Sequence, residues 1–213
     1  AIYREVTETM PLPEYVIALA DVQRAAGDED GAAQTEALVL AMDRLFRENG
    51  VNTDVEMALF RADRGIEIAV TVADARAALA VRPGIHAWDA LAWALYKAGR
   101  YDEALAASDQ ALRLGTRDPL MRYHAGMIAL ALGQTERAAA ELRLAVSPNP
   151  AFSVRYGAEA VRVLGELGGA AAASEPGTVA EAGTHDLPSP QPSPARGEGA
   201  DRGNSPVVID HAG

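Results

Sequence analysis

Residues 85–118 read IHAWDALAWALYKAGRYDEALAASDQALRLGTRD, and the spacing within this stretch decides the fold. Trp88, Leu91, Ala92 and Leu95 recur at i, i+3, i+4 and i+7, the apolar stripe of an amphipathic helix. Tyr101, Ala104, Leu105, Ser108, Ala111 and Leu112 repeat the pattern in a second helix. Between them, Gly99 stands where a helix C-terminus favours a residue tolerant of positive φ. Asp102 and Glu103 then put negative charge at the electropositive start of the next helix. The spacing predicts two antiparallel helices hinged at Gly99–Arg100.

The same 34-residue unit recurs on both sides. In residues 13–46, Val16, Leu19, Ala20 and Gln23 fill the slots of Trp88, Leu91, Ala92 and Leu95, and Gly27 matches Gly99. Pro13 suits a first helical turn, where no N–H is needed. After a connector at 47–50, residues 51–84 keep Met57–Ala58 and Gly65 on pattern. Their second helix slips by one residue, since Ala78–Leu79 and Pro83 come late, and Arg61 occupies an apolar slot. In residues 119–152, Asp118–Pro119 form an N-cap and first-turn pair, and Ala125–Gly126, Gly133, Ala138 and Leu142 fall on pattern. Arg122 replaces the aromatic of Trp88 there. Residues 153–167 make one further amphipathic helix, with Tyr156, Ala160, Val163, Leu164 and Leu167 on one side, suited to cap an open end. Residues 1–12 carry Ile2, Tyr3 and Val6 on one face and stop at Pro11, either the remnant of a preceding repeat or an N-terminal helix.

A Trp, a Leu-small pair, a Tyr and spaced small residues at this period resemble the tetratricopeptide (TPR) repeat, over roughly residues 13–167. The resemblance implies an all-α fold: a right-handed α-solenoid of about four helix-turn-helix repeats with a C-terminal capping helix. It also implies a non-catalytic scaffold or adaptor that binds a peptide or helix of another protein in its concave groove. In this family the first helices line that groove. By position, His86, Asp89, Trp93, Tyr96 and Lys97 would face it from one repeat, and Tyr123, His124, Met127 and Leu130 from the next. Aromatics and Met beside a few polar groups suit anchor pockets. The competing reading packs Trp93 and Tyr96 against a neighbouring helix. On the groove reading, Trp93→Ala and Tyr123→Ala weaken a partner and leave the circular dichroism unchanged. The family's basic clamp for carboxylate-rich termini is not expected, because its positions hold Ile17, Asp21, Glu56, His86 and Ala90.

Composition agrees with close-packed helices. The chain is 49% hydrophobic but only 5% aromatic, and alanine favours helix over strand. The net charge is −11, and the first 84 residues hold 15 acids against 8 bases, poor material for a phosphate backbone. There is no cysteine, which removes disulfides, thiolate metal sites and a cysteine nucleophile. No apolar run reaches the ~18 residues of a membrane span, and no leader is visible. The expected place is the cytoplasm, with export open if a leader was removed before Ala1.

Enzyme chemistry finds no support: Gly-x-Ser-x-Gly, a glycine-rich phosphate loop and His-Glu-x-x-His are all missing. No cofactor is implied. His86, Asp89 and His124 are the one set able to converge as nitrogen and oxygen metal ligands, a weak alternative to ordinary polar lining. A second alternative makes the chain a regulatory repeat module of a longer protein, and self-association is compatible with either. Residues 170–213 are expected to be a disordered tail, since 174–213 hold six prolines, six glycines and no aromatic. LPSPQPSPARGEG there is similar to the translation of an intergenic repeat of GC-rich bacterial genomes, which implies no selected role. The alternative is a PxxP ligand in a polyproline helix.

Overall fold

A computed structural model describes residues 2–50 and 54–174, all of whose regular structure is helical. A short α1 (Ile2–Thr9) precedes four helix pairs: α2 (Pro13–Ala25) with α3 (Glu29–Glu48), α4 (Asp54–Arg64) with α5 (Ile68–Val81), α6 (Ile85–Lys97) with α7 (Tyr101–Leu112), and α8 (Pro119–Ala131) with α9 (Thr135–Val146). Helix α10 (Gly157–Ser174) closes the stack. Each first helix packs on its own partner, and α6 also lies against α4 and α5, as α8 does against α6 and α7. The arrangement is a helical-repeat solenoid.

Local chemistry sets the ends of these helices. The Asp118 carboxylate accepts from the N–H groups of Leu120 and Met121 at 2.9 and 3.0 Å, with Pro119 in the first turn. Asp28 does the same for Gly31 at 2.9 Å. At the other end, Gly99 takes φ +72°, its N–H bonds to Tyr96 O at 2.9 Å, and Arg100 N–H bonds to Leu95 O at 3.0 Å. That pair of bonds satisfies the last carbonyls of α6 and needs a left-handed residue between them. Gly27, Gly65 and Gly133 close α2, α4 and α8 identically. Gly99→Ala therefore lowers stability by about 1 kcal/mol, the strain of a left-handed alanine. The melting temperature falls by ~2–4 °C; an unchanged melt would mean the hinge does not need this conformation.

The irregular second repeat has a defined cause. Two residues, Ile66 and Glu67, separate Gly65 from α5, where the other hinges use one, and Glu67 absorbs the extra residue at φ +42°. Arg61, in its apolar slot, enters an ionic network instead of a hydrophobic contact. Its guanidinium binds Asp43 of α3 and Asp74 of α5, and Arg47 binds the same two carboxylates. Asp43 is only 2% exposed, so its charge requires these partners.

The larger core runs from α4 to α10 and is built from small residues around a few large ones, including Ala92, Ala94, Ala104, Trp93, Leu95, Ile128 and Leu142. A smaller cluster of Val16, Val39, Met57 and Phe60 joins α2, α3 and α4. Helix α9 approaches α8 so closely that a Cβ on Gly126 would sit 2.7 Å from Leu142 Cγ.

Three sequence boundaries need correction. Helix α3 continues to Glu48, so the connector begins later than residue 47. The cap starts at Gly157 rather than Ser153, because 153–156 form a turn. It then runs to Ser174, so residues 170–174, expected in the tail, are helical; the run of four alanines there favours helix. Residues 175–213, which include the expected tail and its PxxP segment, lie outside the described residues. Helix α1 covers most of residues 1–12 and buries none of its own side chains.

Candidate functional site

Side chains from α2, α4, α6 and α8 meet on the face that the first helices share. At its centre is Trp93 of α6, 1% exposed. Its Nε1–H donates to Asp63 Oδ1 of α4 at 2.7 Å. Its ring stacks on His124 of α8 at 4.0 Å between centroids and on Tyr96 at 4.8 Å. Tyr123 lies tilted at 5.9 Å. Helix periodicity explains the grouping, because Trp93, Tyr96 and Lys97 share one side of α6, and Tyr123 with Met127 one side of α8.

Most of the buried polar groups at this face are paired. His124 Nδ1 lies 3.0 and 3.1 Å from the two oxygens of Asp89, whose carboxylate accepts the hydrogen bond. His124 Nε2 is buried with no partner among the described residues. Tyr123 Oη–H donates to Glu159 Oε2 of α10 at 2.8 Å. Lys97 places Nζ 4.6 Å from the Trp93 ring, a cation–π contact, and makes no ion pair among the described residues. Although the side chain is exposed, desolvation against the aromatic cluster lowers its pKa, against the opposing pull of Asp63 and Glu159.

The turn before α10 completes the face, and the sequence did not reveal it. Tyr156 stacks on Tyr123 at 4.6 Å, meets Trp93 edge-on at 5.7 Å, and donates its hydroxyl to Asp63 Oδ1 at 2.5 Å. Arg155 Nη2 and Nε donate to Asp21 Oδ1 of α2 at 3.0 and 3.2 Å. Asp21 also takes Arg64 Nη2 at 2.9 Å, and Arg64 reaches Glu36 at 2.7 Å. Burial alone would raise Glu36, yet Arg64 and Arg24 hold it below the usual carboxylate range. Asp63 was detectable, since it stands one repeat before Lys97 at the same position. Tyr156 was expected on the apolar side of the cap. Nothing local pointed to its reach as far as α4.

The nine candidate residues thus fall into three classes of exposure. Asp89, Trp93, Tyr123 and His124 are buried, Tyr96, Met127 and Leu130 are half-buried, and His86 and Lys97 are exposed. His124 pairs with Asp89 alone, and the three-ligand set with His86 does not form among the described residues. Among the described residues no group of three or more His, Asp or Glu side chains is placed to hold a metal. The expectation that Trp93→Ala and Tyr123→Ala leave the helical signal intact also fails, because both side chains are core.

Burial drives the phenols of Tyr123 and Tyr156 well above the ordinary tyrosine range, and the neighbouring carboxylates Glu159 and Asp63 add to it. The folded chain therefore keeps protons that the unfolded chain releases above about pH 10, so stability falls as pH rises through that value. Denaturation midpoints should drop steeply there, with phenolate absorbance appearing only on unfolding. A Tyr123→Phe/Tyr156→Phe chain that shows the same alkaline loss would exclude this cause.

Residues 85–114, covering α6 and α7, match the sequence family described as Tetratricopeptide repeat. The chain carries a tetratricopeptide repeat there. TPR units are in general protein–protein interaction modules rather than enzymes. A search of curated proteins finds no match to the chain. None of the described helices is long and apolar enough to cross a membrane.

Proposed function

We propose that this chain is a non-catalytic scaffold that binds a segment of another protein along the shared face of α2, α4, α6 and α8. The observation that carries the reading is the position of Tyr96, Lys97 and Met127. They border the buried aromatic cluster and remain open to solvent, inside or beside the repeat that matches the family. An aromatic, a thioether and an unpaired amine beside a desolvated floor are what an anchoring side chain or a carboxylate needs.

Lys97 is the sole lysine in the sequence, which makes the test direct. An amine-reactive cross-linker applied to the full chain in its native cell can attach only there or at a free N-terminus. Mass spectrometry should find partner peptides on Lys97, lost in Lys97→Arg. For the partner so identified, Tyr96→Ala with Met127→Ala should weaken binding by about 2 kcal/mol, roughly thirtyfold in Kd. Photo-cross-links confined to α3, α5, α7 and α9 would overturn the reading.

A further inference from the structure

The turn between α9 and α10 behaves unlike the hinges of the other repeats. After Ser147, Pro148 and Pro150 prevent α9 from continuing, and the chain crosses the face of the first helices before Gly157 opens α10. One dipeptide then touches all four of them. Arg155 meets Asp21 of α2, and Tyr156 meets Asp63 of α4, Trp93 of α6 and Tyr123 of α8. The contacts have the chemistry of a bound ligand: a guanidinium on carboxylates, a ring on an aromatic floor, a hydroxyl on an acceptor. Arg and Tyr are also the residue types that concentrate binding energy at protein interfaces. Beside them lies an open cleft of about 260 Å³, lined by Asp21, Arg24, Ala25, Val154 and Arg155.

We propose that Arg155–Tyr156 is an internal ligand of this face, and that the partner segment it stands in for carries a basic residue followed by an aromatic one. This rests on the reading that the face binds protein segments. Charge selects the basic residue, because Asp21 and Asp63 are the carboxylates that Arg155 faces, at 3.0 and 4.0 Å. Floor shape selects the aromatic, because only a flat ring stacks on Tyr123 while meeting the Trp93 edge. The tethered pair competes with any partner at high effective concentration, so the intact chain binds weakly until the turn lifts.

The test uses a synthetic peptide of residues 149–159, NPAFSVRYGAE, titrated calorimetrically into the full chain and into its Arg155→Ala/Tyr156→Ala variant. The variant should bind roughly tenfold or more tightly than the unaltered chain, and a peptide with both positions changed to alanine should not bind. A variant with unchanged helical circular dichroism that binds no more tightly, or that binds the alanine peptide equally, overturns the proposal. If the variant does not fold, native-state hydrogen exchange of the unaltered chain decides. The amides of Tyr156 and Gly157, bonded to Ser153, should open more easily than those of α6 and α8. Exchange only with those helices would make the turn permanent core and overturn the inference. Neither readout uses a cellular partner. Failure here with Lys97 cross-links intact therefore removes the internal ligand alone.

Discussion

Replacing Trp93 with alanine should cost the fold about 3–5 kcal/mol, the range for emptying a fully buried indole site. Three losses combine. The cavity opens where Tyr96, Tyr123, His124 and Tyr156 converge, so four rings lose their common neighbour. Asp63 loses the indole N–H, and Lys97 loses the ring beneath its ammonium. Collapse into the space is restricted, because the surrounding positions on α6 are small and already in contact: Ala90, Ala92 and Ala94 are all buried. Urea denaturation followed by circular dichroism measures the effect, and Trp93→Phe serves as control. Phenylalanine keeps most of the stacking but not the hydrogen bond, so its cost should stay near 1–2 kcal/mol. A Trp93→Ala chain within about 1 kcal/mol of the original would show that the indole belongs to a surface rather than to the core.

The second large effect is expected at Asp63. This carboxylate accepts from the Trp93 indole and from the Tyr156 hydroxyl, and it lies 4.0 Å from Arg155. Asp63→Ala leaves both donors buried without an acceptor, at about 1–3 kcal/mol each, so a loss of roughly 2–5 kcal/mol follows. Asp63→Asn should lose much less, since its carbonyl oxygen still accepts. A double-mutant cycle with Tyr156→Phe isolates the hydroxyl's share, with an expected coupling of about 1–2 kcal/mol. Additive costs would mean that the two side chains do not share a bond in solution. The same cycle bears on the internal ligand, because this bond ties the turn before α10 to α4.

Much of the architecture was legible because it is local. The stripe Trp88–Leu91–Ala92–Leu95 and its copies fixed helix positions through the 3.6-residue period. Gly27, Gly65, Gly99 and Gly133 marked the hinges because each must take a positive φ that other residues resist. Asp118–Pro119 announced α8 by capping chemistry alone. Two boundaries that moved, at Glu48 and Ser174, lie where helix continues past the repeat pattern, and the third, at Gly157, lies where a turn delays the helix start.

The candidate site was only half legible. Periodicity places Trp93, Tyr96 and Lys97 on one side of α6, but it cannot say what lies opposite. That depends on how each helix pair turns against the next, a rotation that accumulates over the stack and leaves no mark on any one repeat. The bonds that close the face join residues far apart in sequence: Trp93 to Asp63 across 30 positions, Tyr156 to Asp63 across 93, and Arg155 to Asp21 across 134. By itself, then, the sequence determined a stack of hinged helix pairs, since amphipathic period, caps and left-handed glycines act within a few residues. Only the tertiary structure decided that Trp93 and Tyr123 are covered, and that the chain's own Arg155–Tyr156 covers them. The curvature that brings α2 within reach of the turn before α10 arises from packing between repeats.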